Sequence, residues 1–183
     1  MNPEVTLCNS IQAIKADKSR YGKKWLLHPG FWVMLSYRIR RLRKHGNALC
    51  KLLLPLDLLI GWTRALMCDT KLPADTQIGV GIYLAHPNGV IVNDTAIIGD
   101  YVDLFQQVTI GEWHGHSPVL EKGCILFAGA KVFGNVTIGA GAKIGANAVV
   151  HKDVPAGYAA VQEGTRIRPI AIPKTASTTE EVA

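Results

Sequence analysis

The sequence predicts a mainly β chain, a solenoid of short parallel strands preceded by an α-helical part, and three observations predict it. Aliphatic residues return every sixth position at Leu72, Ile78 and Leu84, then at Val92, Ile98, Leu104 and Ile110, then at Leu120, Leu126, Val132, Ile138, Ile144 and Val150. Two places before the next aliphatic residue stands a small or short one, as at Thr76, Ala96, Val102, Val108, Ala130, Val136, Ala142 and Ala148. The period breaks only twice, by two extra residues between Leu84 and Val92 and by four between Ile110 and Leu120. A helix repeats near 3.6 residues and a plain strand at 2, so neither explains a sustained six. Three hexads per coil do, each aliphatic residue stacking on its counterpart one coil away. Thirteen such positions predict just over four coils.

The elements follow in order. Residues 10–20, "SIQAIKADKSR", read as a short helix with Ser10 as its N-cap. In "HPGFWVMLSYRIRRLRKHG" Pro29 suits a first helical turn and Gly46 a stop, with Phe31, Met34, Leu35, Ile39 and Leu42 as an apolar stripe. Its other face carries Arg38, Arg40, Arg41, Arg43 and Lys44. The next stretch, "NALCKLLLPLDLLIGWTRALM", is apolar over a length that could span a membrane. Lys51, Pro55, Asp57, Gly61 and Arg64 interrupt it, and an Asp near the centre of a span costs about 2.5–3.5 kcal/mol. The expectation is therefore a helix or helix pair, broken near Pro55 and packed on its neighbours or on another subunit. Peripheral docking of a basic, apolar surface on anionic membrane is the alternative. The organisation is thus a helical part over 1–71, a solenoid with its closing segment over 72–169, and a small, polar, disordered tail over 170–183.

The formal charge of +6 is unevenly spread. Residues 1–71 hold 13 Lys and Arg against 4 Asp and Glu, whereas residues 72–183 hold 7 against 10. No nucleic-acid-binding motif accompanies the basic half. Cys8, Cys50, Cys68 and Cys124 show no CxxC spacing and are expected as free thiols in a reducing cytosol, Cys124 as a small buried residue. "MNPEVTLCNS" lacks the basic start and apolar run of a signal peptide, so the expected location is cytoplasmic, with the inner membrane face as the site of any peripheral contact. The glycines belong to hexad corners, and neither a P-loop nor GxGxxG occurs.

An insertion in a solenoid leaves the core as a corner loop, where binding residues tend to sit. The two insertions, "AHPNGV" and "GEWHGHSPV", carry His86, His114 and His116. The stretches "IGVGIYLAHPNGVIVNDTAIIGD", "QVTIG" and "AGAKVFGNVTIGAGAKIGANAVVHKDVPAG" make the chain resemble the hexapeptide-repeat acyltransferases of the serine acetyltransferase type, including short acetyltransferases of exopolysaccharide clusters. The resemblance implies a left-handed β-helix. Periodicity alone does not reveal the hand, and parallel crossovers are otherwise nearly always right-handed. It also implies that 151–169 crosses back over the last coils, and that acetyl-CoA lies along the solenoid between subunits. A homotrimer follows, and pairing of trimers through the N-terminal helices is left open.

The resemblance makes His86 the catalytic base, since a hydroxyl needs its proton removed at neutral pH and histidine titrates there. Asp17 matches a serine-binding Asp of the family, and Gly111, Ala128, Lys143 and Ala146 match donor-contacting positions. Arg166 and Arg168 could meet the 3′-phosphate, or be ordinary surface charge. Two departures bear on the acceptor. The family's acidic partners of the histidine are replaced by Ala85 and Lys71, leaving Asp69, Asp75 or a backbone carbonyl to hold the ring. Where the family has Arg-His-Pro, this chain has His116, Ser117 and Pro118, and a histidine cannot reproduce the fork an Arg offers to a carboxylate. Trp113, beside His114, supplies a ring face for stacking on a sugar or for packing on a neighbouring subunit. The expected activity is O-acetylation of a hydroxyl, foremost on a sugar of a surface polysaccharide or its precursor, with serine as the alternative acceptor. The gamma-type carbonic anhydrases, hexapeptide β-helices with a three-histidine zinc, use His-x4-His where this chain has His-x-His, so no metal is expected.

Overall fold

The computed structural model describes residues 6–162, and only the backbone of 63–67. Among the described residues thirteen strands stack into three parallel sheets, the faces of a prism. Face one holds β1 (Gln77–Ile78), β4 (Ile97–Ile98), β7 (Val119–Leu120) and β10 (Thr137–Ile138). Face two holds β2 (Tyr83–Leu84), β5 (Asp103–Leu104), β8 (Ile125–Leu126), β11 (Lys143–Ile144) and β13 (Ala159–Ala160). Face three holds β3 (Ile91–Val92), β6 (Thr109–Gly111), β9 (Lys131–Phe133) and β12 (Val149–Val150).

Register follows the hexads. Ile78, Ile98, Leu120 and Ile138 pair in one column; Leu84, Leu104, Leu126 and Ile144 in a second; Val92, Ile110, Val132 and Val150 in a third. All thirteen aliphatic positions are buried, each contributing about 1.5–3 kcal/mol of transfer free energy. After Val150 the chain does not cross back within the described residues. Val154 bridges to Ile138 and β13 pairs with β11, so the segment adds most of a fifth coil.

The first coil has no coil above it, and an uncovered strand edge leaves N–H and C=O groups unpaired. Helices α1 (Leu7–Ser19), α2 (Pro29–His45) and α3 (Leu54–Met67), with 3-10 segments at Gly22–Leu27 and Ala48–Leu53, form the part that covers it. Arg38 donates to the carbonyls of Ile78 (2.9 Å) and Gly79, Arg40 to Leu72 (3.0 Å), and Arg41 to Ala74 (3.1 Å) and Thr76 (2.8 Å). The N–H of Ile82 donates to Asp17 (2.9 Å) and that of Leu84 to the Tyr21 hydroxyl (3.0 Å). Three of the arginines read as the face opposite the apolar stripe, Arg38, Arg40 and Arg41, therefore cap the solenoid, while Arg43 turns to Asp57 of α3.

Two further differences are local. Helix α1 starts before Ser10 because Thr6 accepts from the N–H of Asn9 (3.2 Å) and serves as the N-cap. In the apolar stretch, Asp57 is buried against Arg43 (2.8 Å), while Leu49, Leu52, Leu58, Leu59 and Trp62 are exposed. Among the described residues no helix is long and apolar enough to cross a membrane. The tail from 170 lies outside the described residues.

Candidate active site

The corner from face two to face three is built as a ladder. The N–H groups of Gly89, Gln107, Gly129 and Asn147 donate to the carbonyls of Asp69 (2.7 Å), Asn88 (2.9 Å), Gln106 (2.9 Å) and Ala128 (2.9 Å). Each donor residue has left-handed φ, from 57° to 72°, so every coil turns here in the same way. The residue before each donor therefore falls into one column: Asn88, Gln106, Ala128, Ala146. Adjacent coils are about 4.8 Å apart, so this column runs about 14 Å along the solenoid. It is polar at the His86 end and carries only methyl side chains at the other.

His86 lies in the insertion at the top of this corner. Its ring is exposed and makes no hydrogen bond among the described residues. It lines an open pocket with Asn88, Gly89, Gln106 and Gln107. The loop is held from behind by the chain entering the solenoid: the Thr70 hydroxyl donates to the carbonyl of Pro87, and the N–H of Lys71 to Val90 (2.9 Å). Of the carboxylates considered for orienting His86, Asp75 is taken elsewhere. Lys44 (2.5 Å) and His45 (2.9 Å) hold it, and the hydrogen bond from Lys44 is the main cause that lowers its pKa. Asp69 is exposed, with its backbone on the ladder above Asn88.

The residues picked out in the sequence fall into separate groups. Ala128 and Ala146 share the His86 corner, and Lys143 lies exposed on the adjoining face two. Gly111, Trp113, His114, His116 and Ser117 occupy the corner from face three to face one. There Trp113 and His116 exchange backbone hydrogen bonds (2.9 and 3.2 Å), and the exposed Trp113 ring stacks on His114 with centroids 5.4 Å apart. Ser117 braces this loop through Thr95 (2.7 Å) and Asn93 (3.1 Å). Gly111 leaves no room for a Cβ, which would stand 2.5 Å from the Phe133 ring. His86 and the two loop histidines thus belong to different corners, and one chain does not gather them round a metal.

Asp17 presents no surface to a ligand in this fold. It is 1% exposed, with its carboxylate bound by Arg38 and the Ile82 N–H. Arg166 and Arg168 lie outside the described residues. Asn88, Gln106 and Gln107 were not among the candidates. Their signal was positional, since the hexad phase puts them in the same corner as Ala128 and Ala146. A second hollow, between α1, α2 and face one and lined by Asn9, Gln12, Arg41, Ile98 and Asp100, contains none of these candidate residues.

No family model matches the chain. The serine acetyltransferase of Helicobacter pylori is 32% identical over 168 residues, which is 85% of this chain and 92% of that protein. The chain belongs to the serine acetyltransferase family. The family member of Synechococcus elongatus is likewise 32% identical, over 158 residues and 79% of this chain; the chain spans only 62% of that longer relative. Among solved structures, a serine acetyltransferase in complex with CoA matches with a TM-score of 0.71 at 28% identity, covering 88% of this chain and 71% of that one. Soybean serine acetyltransferase complexed with serine matches with a TM-score of 0.70 at 29% identity, over 87% and 69% of the two chains. The fold is the family's left-handed parallel β-helix behind a helical N-terminal part.

Proposed function

We propose that this protein transfers the acetyl group of acetyl-CoA to the hydroxyl of L-serine, with His86 as general base. The observation that carries the proposal is the corner column, which runs from the His86 pocket over Ala128 to Ala146 and offers a long thioester a narrow, side-chain-poor track. The serine acetyltransferase relatives support both donor and acceptor. His86 removes the hydroxyl proton as the oxygen attacks the thioester carbon. The C–O bond forms, the C–S bond breaks, and the CoA sulfur leaves with the proton from the imidazolium. The backbone N–H of Ala128, on the His86 corner, holds the oxyanion. Since the loop with His114 and His116 sits on another corner, a homotrimer that sets one protomer's loop against its neighbour's His86 completes the site.

The relatives favour serine over the sugar acceptor expected first. One observation keeps a glycan as the second choice: the exposed Trp113–His114 stack is an aromatic face of the kind that sugar rings pack on. The test is thiol release from acetyl-CoA with L-serine and with a panel of sugars, for wild type and His86→Ala, with CoA binding followed by calorimetry. Serine-dependent release that His86→Ala abolishes is the expected result. Turnover of sugars alone replaces the acceptor, and absence of CoA binding overturns the transferase assignment.

A further inference from the structure

Two of the residues lining the His86 pocket carry a polar group without a partner. Oε1 of Gln106 is buried and accepts no hydrogen bond, and the His86 ring makes none among the described residues, although both side chains line the pocket. A buried acceptor without a donor is costly, so such a group calls for a reason. The base, for its part, needs an acceptor. The tautomer of an imidazole is set by the hydrogen bond its other nitrogen makes. No carboxylate stands at 71 or 85, where Lys71 and Ala85 are found, and Asp75 is held by Lys44 and His45.

We propose, resting on the transferase assignment above, that Gln106 is the positioning residue of His86. Its amide oxygen accepts the N–H of one ring nitrogen and leaves the other free to take the hydroxyl proton. Catalytic hydrogen bonds are often open before substrate binds, and this one closes with the substrate in place. A neutral amide fixes the tautomer without the added charge by which a carboxylate favours the imidazolium. The charged residues whose backbone bonds the loop are Asp69 and Lys71, from the chain entering the solenoid; Gln106 and Gln107, one coil on, are uncharged.

The test compares kcat and KM across pH for wild type, Gln106→Ala, Gln106→Glu and Asp69→Asn. Gln106→Ala should lower kcat, by no more than the about 10²–10⁴-fold that general-base catalysis contributes in all, and should affect kcat more than KM. Gln106→Glu should restore much of kcat and move the acid limb of kcat/KM to higher pH, because a carboxylate raises the pH at which the ring loses its proton. Asp69→Asn should leave that limb in place. Wild-type kcat in Gln106→Ala, or a limb that moves with Asp69→Asn instead, would overturn the proposal. Nitrogen NMR of the His86 ring supplies a readout independent of turnover: one tautomer is expected in wild type and a mixture in Gln106→Ala. If wild type has no acetyltransferase activity, that spectrum still decides between Gln106 and no partner, while the functional assignment fails separately.

Discussion

Arg38 reaches both carboxylate oxygens of Asp17, through Nε at 2.9 Å and Nη2 at 3.2 Å, and neither side chain is more than 6% exposed. The pair joins α1 to α2, and through Ile82 and Ile78 it joins both to the first coil. Removing one partner strands the other charge in the interior, which costs about 3–5 kcal/mol. Asp17→Ala is therefore expected to lower the denaturation midpoint sharply. If Asp17 held serine instead, the variant would raise the serine KM and melt like wild type, so equilibrium unfolding and kinetics on the same preparation separate the two roles.

Alkaline stability should depend on Tyr21 and Tyr37. Burial is the main cause that pushes both hydroxyls above the usual tyrosine range. An unfolded tyrosine ionises near pH 10, so above that the unfolded chain has released a proton that the folded chain retains. Their contribution is complete below about pH 10 and is lost as pH rises further. Tyr21→Phe and Tyr37→Phe should each flatten the fall of stability between about pH 9 and 11, one unit either side of the ordinary tyrosine value, measured by urea titration. At neutral pH Tyr21→Phe should cost more, about 1–3 kcal/mol, because it leaves the Leu84 N–H unpaired. The Thr76 carbonyl that Tyr37 binds still accepts from Arg41.

The proposed donor track can be blocked without harming the fold. Ala128 is half-buried and Ala146 exposed, and both point away from the core columns. Leucine at either place adds bulk to the track and not to the interior. Ala128→Leu and Ala146→Leu should raise the KM for acetyl-CoA about tenfold or more, equivalent to about 1.4 kcal/mol, with the melting temperature held. An unchanged KM in both variants would remove this corner from the donor site.

The solenoid could be read from sequence because its core repeats: Leu84, Leu104, Leu126 and Ile144 each announce the same place in the next coil. Arg38, Arg40 and Arg41 could not be read in that way. A run of arginines on a helix looks alike whether it faces water or the open carbonyls of a first coil, and only the tertiary placement of α2 decides. His86 was visible as a loop histidine at a break in period. Gln106 was not, since a polar residue at a hexad corner is ordinary until the pocket beside it and its unpartnered oxygen are seen.

Gly30 links the helical cap to the site. It lies in the first turn of α2, directly on Leu84, and a Cβ there would overlap the Leu84 carbonyl oxygen and come within 2.9 Å of the Tyr21 hydroxyl. Backbone cannot yield as a flexible side chain can, so Gly30→Ala must lift α2 or shift Leu84, at about 1–3 kcal/mol. Leu84 is the last residue of β2, two places before His86, so the displacement is passed to the loop that carries the proposed base. The variant should lose both stability and kcat, whereas Gly61→Ala, inside α3 with open space around its Cβ position, should leave kcat unchanged and raise stability by about 0.4–1 kcal/mol. Measured together, the pair tests whether the N-terminal helices only cover the first coil or also hold His86 in place. Loss of stability with full kcat in Gly30→Ala would limit their role to covering it.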